Sequence, residues 1–384
     1  SAIEDSFAAA TLAVPVADTP RQFPGAPERI ARSVTKTLDA LPFTSHDIST
    51  TADGTRCVFA IDIDGDGDVD ALSASHFDAT VAWYENNGTY AFTKHVITNS
   101  AAGAISVFAI DLDGDSDIDV LSASISDNTV AWYENDGNQG FTEHYIGGAS
   151  GVISVLAIDM DTDGDIDVVS GSYGDNVVAW YENIGNQVFT KHTITNTADG
   201  VRSVFAIDLD GDGDIDVVSA SQNSDTVLWH ENDGNRGFTN HIITTSANHL
   251  YSVFAIDVDQ DGDMDVLSAS YHDNTIAWYE NDGNQSFAKH DITTSAGHAQ
   301  SVFAIDFDGD GDIDVLSGAY SDDTVAWHEN TSPLPTALPT GLPSSQPTMQ
   351  TKCWNVYNVI QALCADYTAD DITANINGNN CFVK

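Results

Sequence analysis

The feature that most constrains this chain is an internal repeat. Asp-rich loops begin at Asp62, Asp111, Asp159, Asp208, Asp257 and Asp306, at spacings of 49, 48, 49, 49 and 49 residues. After each loop the units read alike. A VDALSAS-like run is followed by a polar turn, a TVAWYEN-like run, an Asn-Asp-Gly-type turn and an FTKHVIT-like run. One Trp falls in each unit, at Trp83, Trp132, Trp180, Trp229, Trp278 and Trp327. A period of this length belongs to arrays in which each unit buries its apolar face only against its neighbours.

Within a unit the signals are for strands. Short runs rich in Val, Ile, Phe, Trp and Thr are bounded by Gly, Asn, Asp and Ser. In the second unit they predict strands near 106–110, 118–122, 129–134 and 141–146. Asn135-Asp136-Gly137 is a hairpin signal, because Gly accepts positive φ. No Pro occurs between Pro42 and Pro333, as uninterrupted ladders require. Four antiparallel strands per unit predict an all-β, six-bladed β-propeller.

The blades can be counted from a recurring His in the fourth strand: His95, His144, His192, His241 and His290. The sixth unit stops at Asn330 after three strands. Phe43-Thr44-Ser45-His46-Asp47-Ile48 supplies the missing pattern, with His46 49 residues before His95. The N-terminal strand is therefore expected to complete the last blade and close the ring, which removes exposed edges. The expected domains are an N-terminal arm (1–42), the propeller (43–330), a Pro/Thr/Ser-rich linker (331–350) and a Cys-containing tail (351–384).

Each loop carries Asp at positions 1, 3, 5, 7 and 9. The first holds Asp62, Asp64, Asp66, Asp68 and Asp70; the second Asp111, Asp113, Asp115, Asp117 and Asp119. The third holds Asp159, Asp161, Asp163, Asp165 and Asp167; the fourth Asp208, Asp210, Asp212, Asp214 and Asp216. The fifth holds Asp257, Asp259, Asp261, Asp263 and Asp265; the sixth Asp306, Asp308, Asp310, Asp312 and Asp314. Position 6 is Gly except at Ser116. Ca²⁺ takes six to eight oxygens, and alternate carboxylates on a tight loop can converge on one ion. Position 7 is expected to give its backbone carbonyl, leaving its side chain to water or to support. The less specific reading, solvated Asp-Gly turns, does not explain six identical patterns. About six Ca²⁺, one per blade, are expected, with folding coupled to the metal.

These DIDGDGDVD-type loops, with the FAID strand before them, resemble the FG-GAP/VCBS-type calcium-binding repeats. Such repeats form propeller blades, including those of integrin α-chain heads and several lectins. The resemblance covers about residues 43–330 and implies fold and metal. It does not single out one function, because these propellers serve adhesion, glycan binding and scaffolding. Six repeats rather than the seven common in that group also separate this chain from any particular binding site.

The net charge is −47, from 59 acidic and 12 basic residues. That repels nucleic acid and anionic membranes. Five positions in six loops account for 30 of the acids, and six Ca²⁺ would bring the charge to −35. No run approaches the ~20 apolar residues of a membrane span. The N-terminal arm holds Arg21, Arg29, Arg32 and Lys36, and Ile30, Val34, Leu38 and Leu41 fall at helical spacing. Pro335, Pro339, Pro343 and Pro347 mark an extended spacer. Cys57 stands where the other five units have Ser, and with Cys353, Cys364 and Cys381 it makes four disulfide candidates. Sequons lie at Asn87, Asn284 and Asn330. Together these features favour an extracellular glycoprotein.

No asymmetric catalytic constellation stands out. The His set, the Trp set and Glu85, Glu134, Glu182, Glu231, Glu280 and Glu329 recur once per unit, which fits structural roles. The most divergent positions lie in loops after the second strand, including Tyr173, Gln222, Tyr271 and Tyr320. The chain is expected not to be an enzyme. The leading expectation is an assembly subunit of an extracellular filament or coat, linked through its arm and tail. The partners would then be further copies or other extracellular proteins. The alternative is a lectin or cell-adhesion module binding glycans at blade loops.

Overall fold

A computed structural model describes residues 47–331, Tyr90 excepted. The arm, most of the linker and the tail, with Cys353, Cys364 and Cys381, lie outside the described residues. So do Phe43–His46 of the expected closing strand; Asp47 and Ile48 are not in a strand.

The described residues form an all-β array of six blades. Five are four-stranded, and the sixth shows three strands. In every blade the strands follow chain order, each antiparallel to the next. Blade 2 comprises Ala104–Ile110, Asp119–Ser124, Thr129–Asn135 and Phe141–Gly148. The four strands expected in this blade are all present; four of their eight ends extend one or two residues further, and the second strand starts one residue later.

The alternation of residues explains how the blades stack. The second strand is buried on both faces, as in Asp119–Ser124. Its two faces therefore belong to two different seams. On one side Leu72, Ala74, Val81 and Trp83 of blade 1 meet Val107, Ala109, Val120 and Tyr133 of blade 2. The same seam recurs down the array, for example between blades 4 and 5. Ser106, Ser154, Ser203 and Ser252 bridge each seam by accepting the N–H of Val155, Val204, Val253 and Val302 at 3.2–3.4 Å. Cys57 takes this place in blade 1. Its thiol donates to the Val107 carbonyl across the seam at 3.7 Å, and burial pushes its pKa up.

The recurring His, Glu and Trp form a cross-strand ladder. Each fourth-strand His meets a third-strand Glu, from His95–Glu85 at 2.8 Å to His241–Glu231 at 2.6 Å. The ring lies against the blade's Trp, with Trp83 and His95 stacked at 4.5 Å. Ser73 and Tyr84 hydrogen-bond within the blade at 3.1 Å. In blade 4 His230 replaces that Tyr and bonds Ser219 at 2.9 Å. Burial holds His230 down at about 4, so it is neutral.

The six blades have a propeller arrangement, and among the described residues two seam faces, on blades 1 and 6, are exposed. The first-strand Val of the seam is 3–5% exposed at Val107, Val155, Val204, Val253 and Val302, but Val58 is 71% exposed. The third-strand position is fully buried at Val81, Val130, Val178, Val227 and Ile276, but Val325 is 85% exposed. Among the described residues the first strand of blade 6 (Ala299–Ile305) does not pack on that of blade 1 (Thr55–Ile61) as the other neighbours do. These faces are the two halves of the seam that joins every internal pair of blades.

Candidate metal centres

Each Asp loop joins the end of a first strand to the start of a second. Position 9 opens the second strand and is buried: Asp70, Asp119, Asp167, Asp216, Asp265 and Asp314 are 0–2% exposed. Its two oxygens are spoken for. In blade 2, Asp119 Oδ2 accepts the N–H of Leu112 at 3.0 Å and Oδ1 that of Asn135 at 2.8 Å. The same pair recurs in all six blades, for instance at Asp216 with Leu209 and Asn232. Position 9 thus clamps the loop to the third-strand hairpin. Desolvation, the largest cause, raises Asp119, Asp167, Asp216 and Asp265 to about 7 against the pull of those amides.

Position 1 organises the turn. Asp62 Oδ1 accepts from Gly65 at 2.9 Å and Oδ2 from Gly67 at 2.8 Å. Both glycines have positive φ, 71° and 93°. Ser116 holds the same conformation at 78°. Positions 3 and 5 each accept the N–H two residues on: Asp64 from Asp66 at 3.3 Å, and Asp66 from Asp68 at 2.9 Å. One oxygen of each is used in this way, which leaves the other to point elsewhere.

Position 7 points away from the loop. A Cβ on Gly137 would lie 2.4 Å from Asp117 Oδ2, and the same holds for Gly88, Gly234 and Gly283 against Asp68, Asp214 and Asp263. The position-7 side chain therefore underlies the hairpin between third and fourth strands.

The carboxylates that converge are those of positions 1, 3 and 5, or 1, 3 and 9. Asp62, Asp64 and Asp66 bring one oxygen each within 4.8 Å of the others, as do Asp111, Asp113 and Asp115, and Asp208, Asp210 and Asp212. In blades 3 and 5 the sets are Asp159, Asp161 and Asp167, and Asp257, Asp259 and Asp265. Position 3 is raised above the usual carboxylate range in blades 1 to 5, by desolvation first and then by repulsion from position 5. Asp161 Oδ1 and Asp257 Oδ1 are buried without a hydrogen-bond partner. An all-oxygen donor set, crowded like charge and orphaned carboxylate oxygens together fit a hard divalent cation. Ca²⁺ would supply the counter-charge that joins the loop to the second strand. Positions 1, 3 and 5 would hold it, with position 9 at its edge.

Among the sequons, Asn87 and Asn284 are exposed on the hairpin between third and fourth strands. Asn330 is half-buried, and its amide donates to the Ile313 carbonyl at 3.3 Å. Its counterparts Asn86, Asn135, Asn183, Asn232 and Asn281 make the same bond.

The FG-GAP-like repeat model matches five overlapping stretches: 62–122, 111–170, 159–219, 208–268 and 257–317. The chain belongs to the FG-GAP-like repeat family, and its fold is one typical of extracellular adhesion-type modules. No curated protein matches it. Among solved structures it is similar to virginiamycin B lyase from Staphylococcus aureus, at 11% identity and a TM-score of 0.50, covering 74% of this chain and 87% of that one. It is also similar to the V. cholerae biofilm matrix protein Bap1, at 16% identity and a TM-score of 0.42, covering 66% and 41%. A functionally unknown protein from Desulfotomaculum acetoxidans matches at 11% identity and a TM-score of 0.47, covering 67% and 78%. At 11% identity the likeness to the lyase is one of fold alone.

Proposed function

We propose that this protein is a non-enzymatic, calcium-stabilised propeller that serves as a building element of an extracellular assembly. The metal part is supported by the six repeated Asp cradles. The assembly part is carried by one observation, the pair of uncovered seam faces marked by Val58 and Val325. An apolar face that is buried at five seams and, among the described residues, bare at Val58 and Val325 calls for a cover. The terminal segments outside the described residues, or a neighbouring copy, would supply it. The arm and tail then act as connectors rather than as appendages.

Light scattering and electron microscopy of the full chain in calcium test this reading. Ordered oligomers or filaments are expected, and V58E and V325E should dissolve them while leaving each subunit folded. Monodisperse monomers at all concentrations, unchanged by either substitution, would refute it.

A further inference from the structure

One cluster breaks the sixfold uniformity. It lies at the start of first strands and the end of second strands, the opposite end of those strands from the Asp loops. Arg202 is the second residue of its strand, Val201–Ile207, in blade 4. Its guanidinium lies over the rings of both Tyr173 of blade 3 and Tyr251 of blade 5, 4.8 Å from each centroid. Tyr251 stacks on Tyr271 at 5.0 Å, and Tyr271 stacks on His298 of blade 6 at 4.2 Å and 10°. The result is a continuous row, Tyr173–Arg202–Tyr251–Tyr271–His298, crossing four blades. The ring faces cover one another, so the row offers its edges.

The backbone bears the cost of placing the row. The residue before the first strand has positive φ in every blade. It is Gly in blades 1 to 4, at Gly54, Gly103, Gly151 and Gly200, but His249 and His298 in blades 5 and 6, with φ of 63° and 53°. Left-handed conformation is unfavourable for His and persists where surroundings impose it. Both His side chains join the cluster, and His249 stacks on His272 at 4.1 Å. His298 Nδ1 is buried with no hydrogen-bond partner.

The charge of Arg202 is unused. No carboxylate forms an ion pair with it among the described residues. Its Nε donates to Gln222, which leaves the terminal N–H groups as donors. The nearby loop carboxylates face backbone amides instead. Asp225 accepts from His249 at 2.7 Å, Asp273 from Asn248 at 3.3 Å and Asp175 from Ser150 at 3.1 Å. Burial lowers the pKa of His249, and neighbouring His272 and Arg202 lower it further. In a chain of net charge −47, Arg202 is thus a basic side chain without a carboxylate ion-pair partner among the described residues.

We propose that the row binds an acidic sugar chain, one bearing carboxylate or sulfate groups. Arg202 takes the anionic group, because a planar guanidinium held by stacking presents paired donors to an oxyanion. The phenol and imidazole edges of Tyr173, Tyr271 and His298 take sugar hydroxyls, while buried Gln222, bonded to both Arg202 and His249, holds the guanidinium in place. A row of hydrogen-bonding edges running across four blades fits an elongated polyhydroxyl ligand. The proposal is independent of assembly, since the site uses neither end face of the array.

The test is titration calorimetry of the full chain in calcium, with chondroitin 4-sulfate oligosaccharide as probe. A neutral chito-oligosaccharide and a poly-glutamate peptide are the other arms. Binding is expected for the sulfated probe and not for the neutral one. R202Q should weaken it about tenfold or more, and R202K nearly as much, because Lys keeps charge without the planar stack. Arg56 holds the same register in blade 1 and is exposed; R56Q should leave affinity unchanged. Melting curves of the variants in calcium report their folding. No binding by the wild type, or equal loss in folded R56Q and R202Q, would overturn the site. Equal binding of poly-glutamate would overturn the sugar assignment.

Discussion

Removing calcium should make the stability of this protein fall steeply as pH rises. The position-9 carboxylates Asp119, Asp167, Asp216 and Asp265 are raised to about 7 by burial, whereas an unfolded Asp titrates near ~3.9. The folded state thus binds more protons than the unfolded state between these values. Stability then rises as pH falls through 7 and levels off near the unfolded value. Lowering the pH from 8 to 6 protonates most of a group with a folded pKa near 7, worth about 1.4 kcal/mol. Four independent groups would give about 5 kcal/mol as an upper figure. Bound calcium favours the ionised carboxylates and should flatten the dependence. Thermal melts in chelator and in calcium at each pH measure this. The D216N variant cannot ionise there and should lose about a quarter of the slope. A chelated protein that becomes less stable from pH 8 to pH 6 would refute the reasoning.

Ligand and clamp positions should separate in the same assay. D210N should leave the chelated protein near wild-type stability and weaken calcium-induced stabilisation, measured by melting over a calcium titration. G137A places a Cβ 2.4 Å from Asp117 at φ 68° and should cost about 1–3 kcal/mol in denaturant unfolding. V178A removes side-chain volume from a fully buried seam and should cost about 2 kcal/mol. V325A, at a position 85% exposed, should leave monomer stability unchanged and weaken assembly, read by sedimentation velocity.

The repeat made the fold legible. Period, strand runs, hairpin turns and six Asp loops all follow from local pattern, and each strand of the second blade lies within two residues of its expected place. The division of labour inside a loop was less accessible. Asp at position 9 and Asp at position 3 look alike in sequence. Only the fold reveals that Asp119 sits under two backbone amides while Asp113 faces Asp111 and Asp115. The Tyr–Arg–His row was half visible. Tyr173, Gln222 and Tyr271 stand out as divergent loop residues, but Arg202 and Tyr251 lie inside strands and meet them only across seams. His249 and His298 did carry a signal, since each replaces a Gly of the repeat. Cys57 looks in sequence like a partner for the tail cysteines, which lie outside the described residues; its thiol donates to the Val107 carbonyl across the seam.

Calcium stoichiometry of the native chain tests the account most directly. Protein desalted from millimolar calcium into metal-free buffer should retain about six Ca²⁺ per chain by elemental analysis, and chelation should lower its melting temperature. A chain that retains no calcium and melts identically in excess chelator would contradict the reading of the six Asp loops.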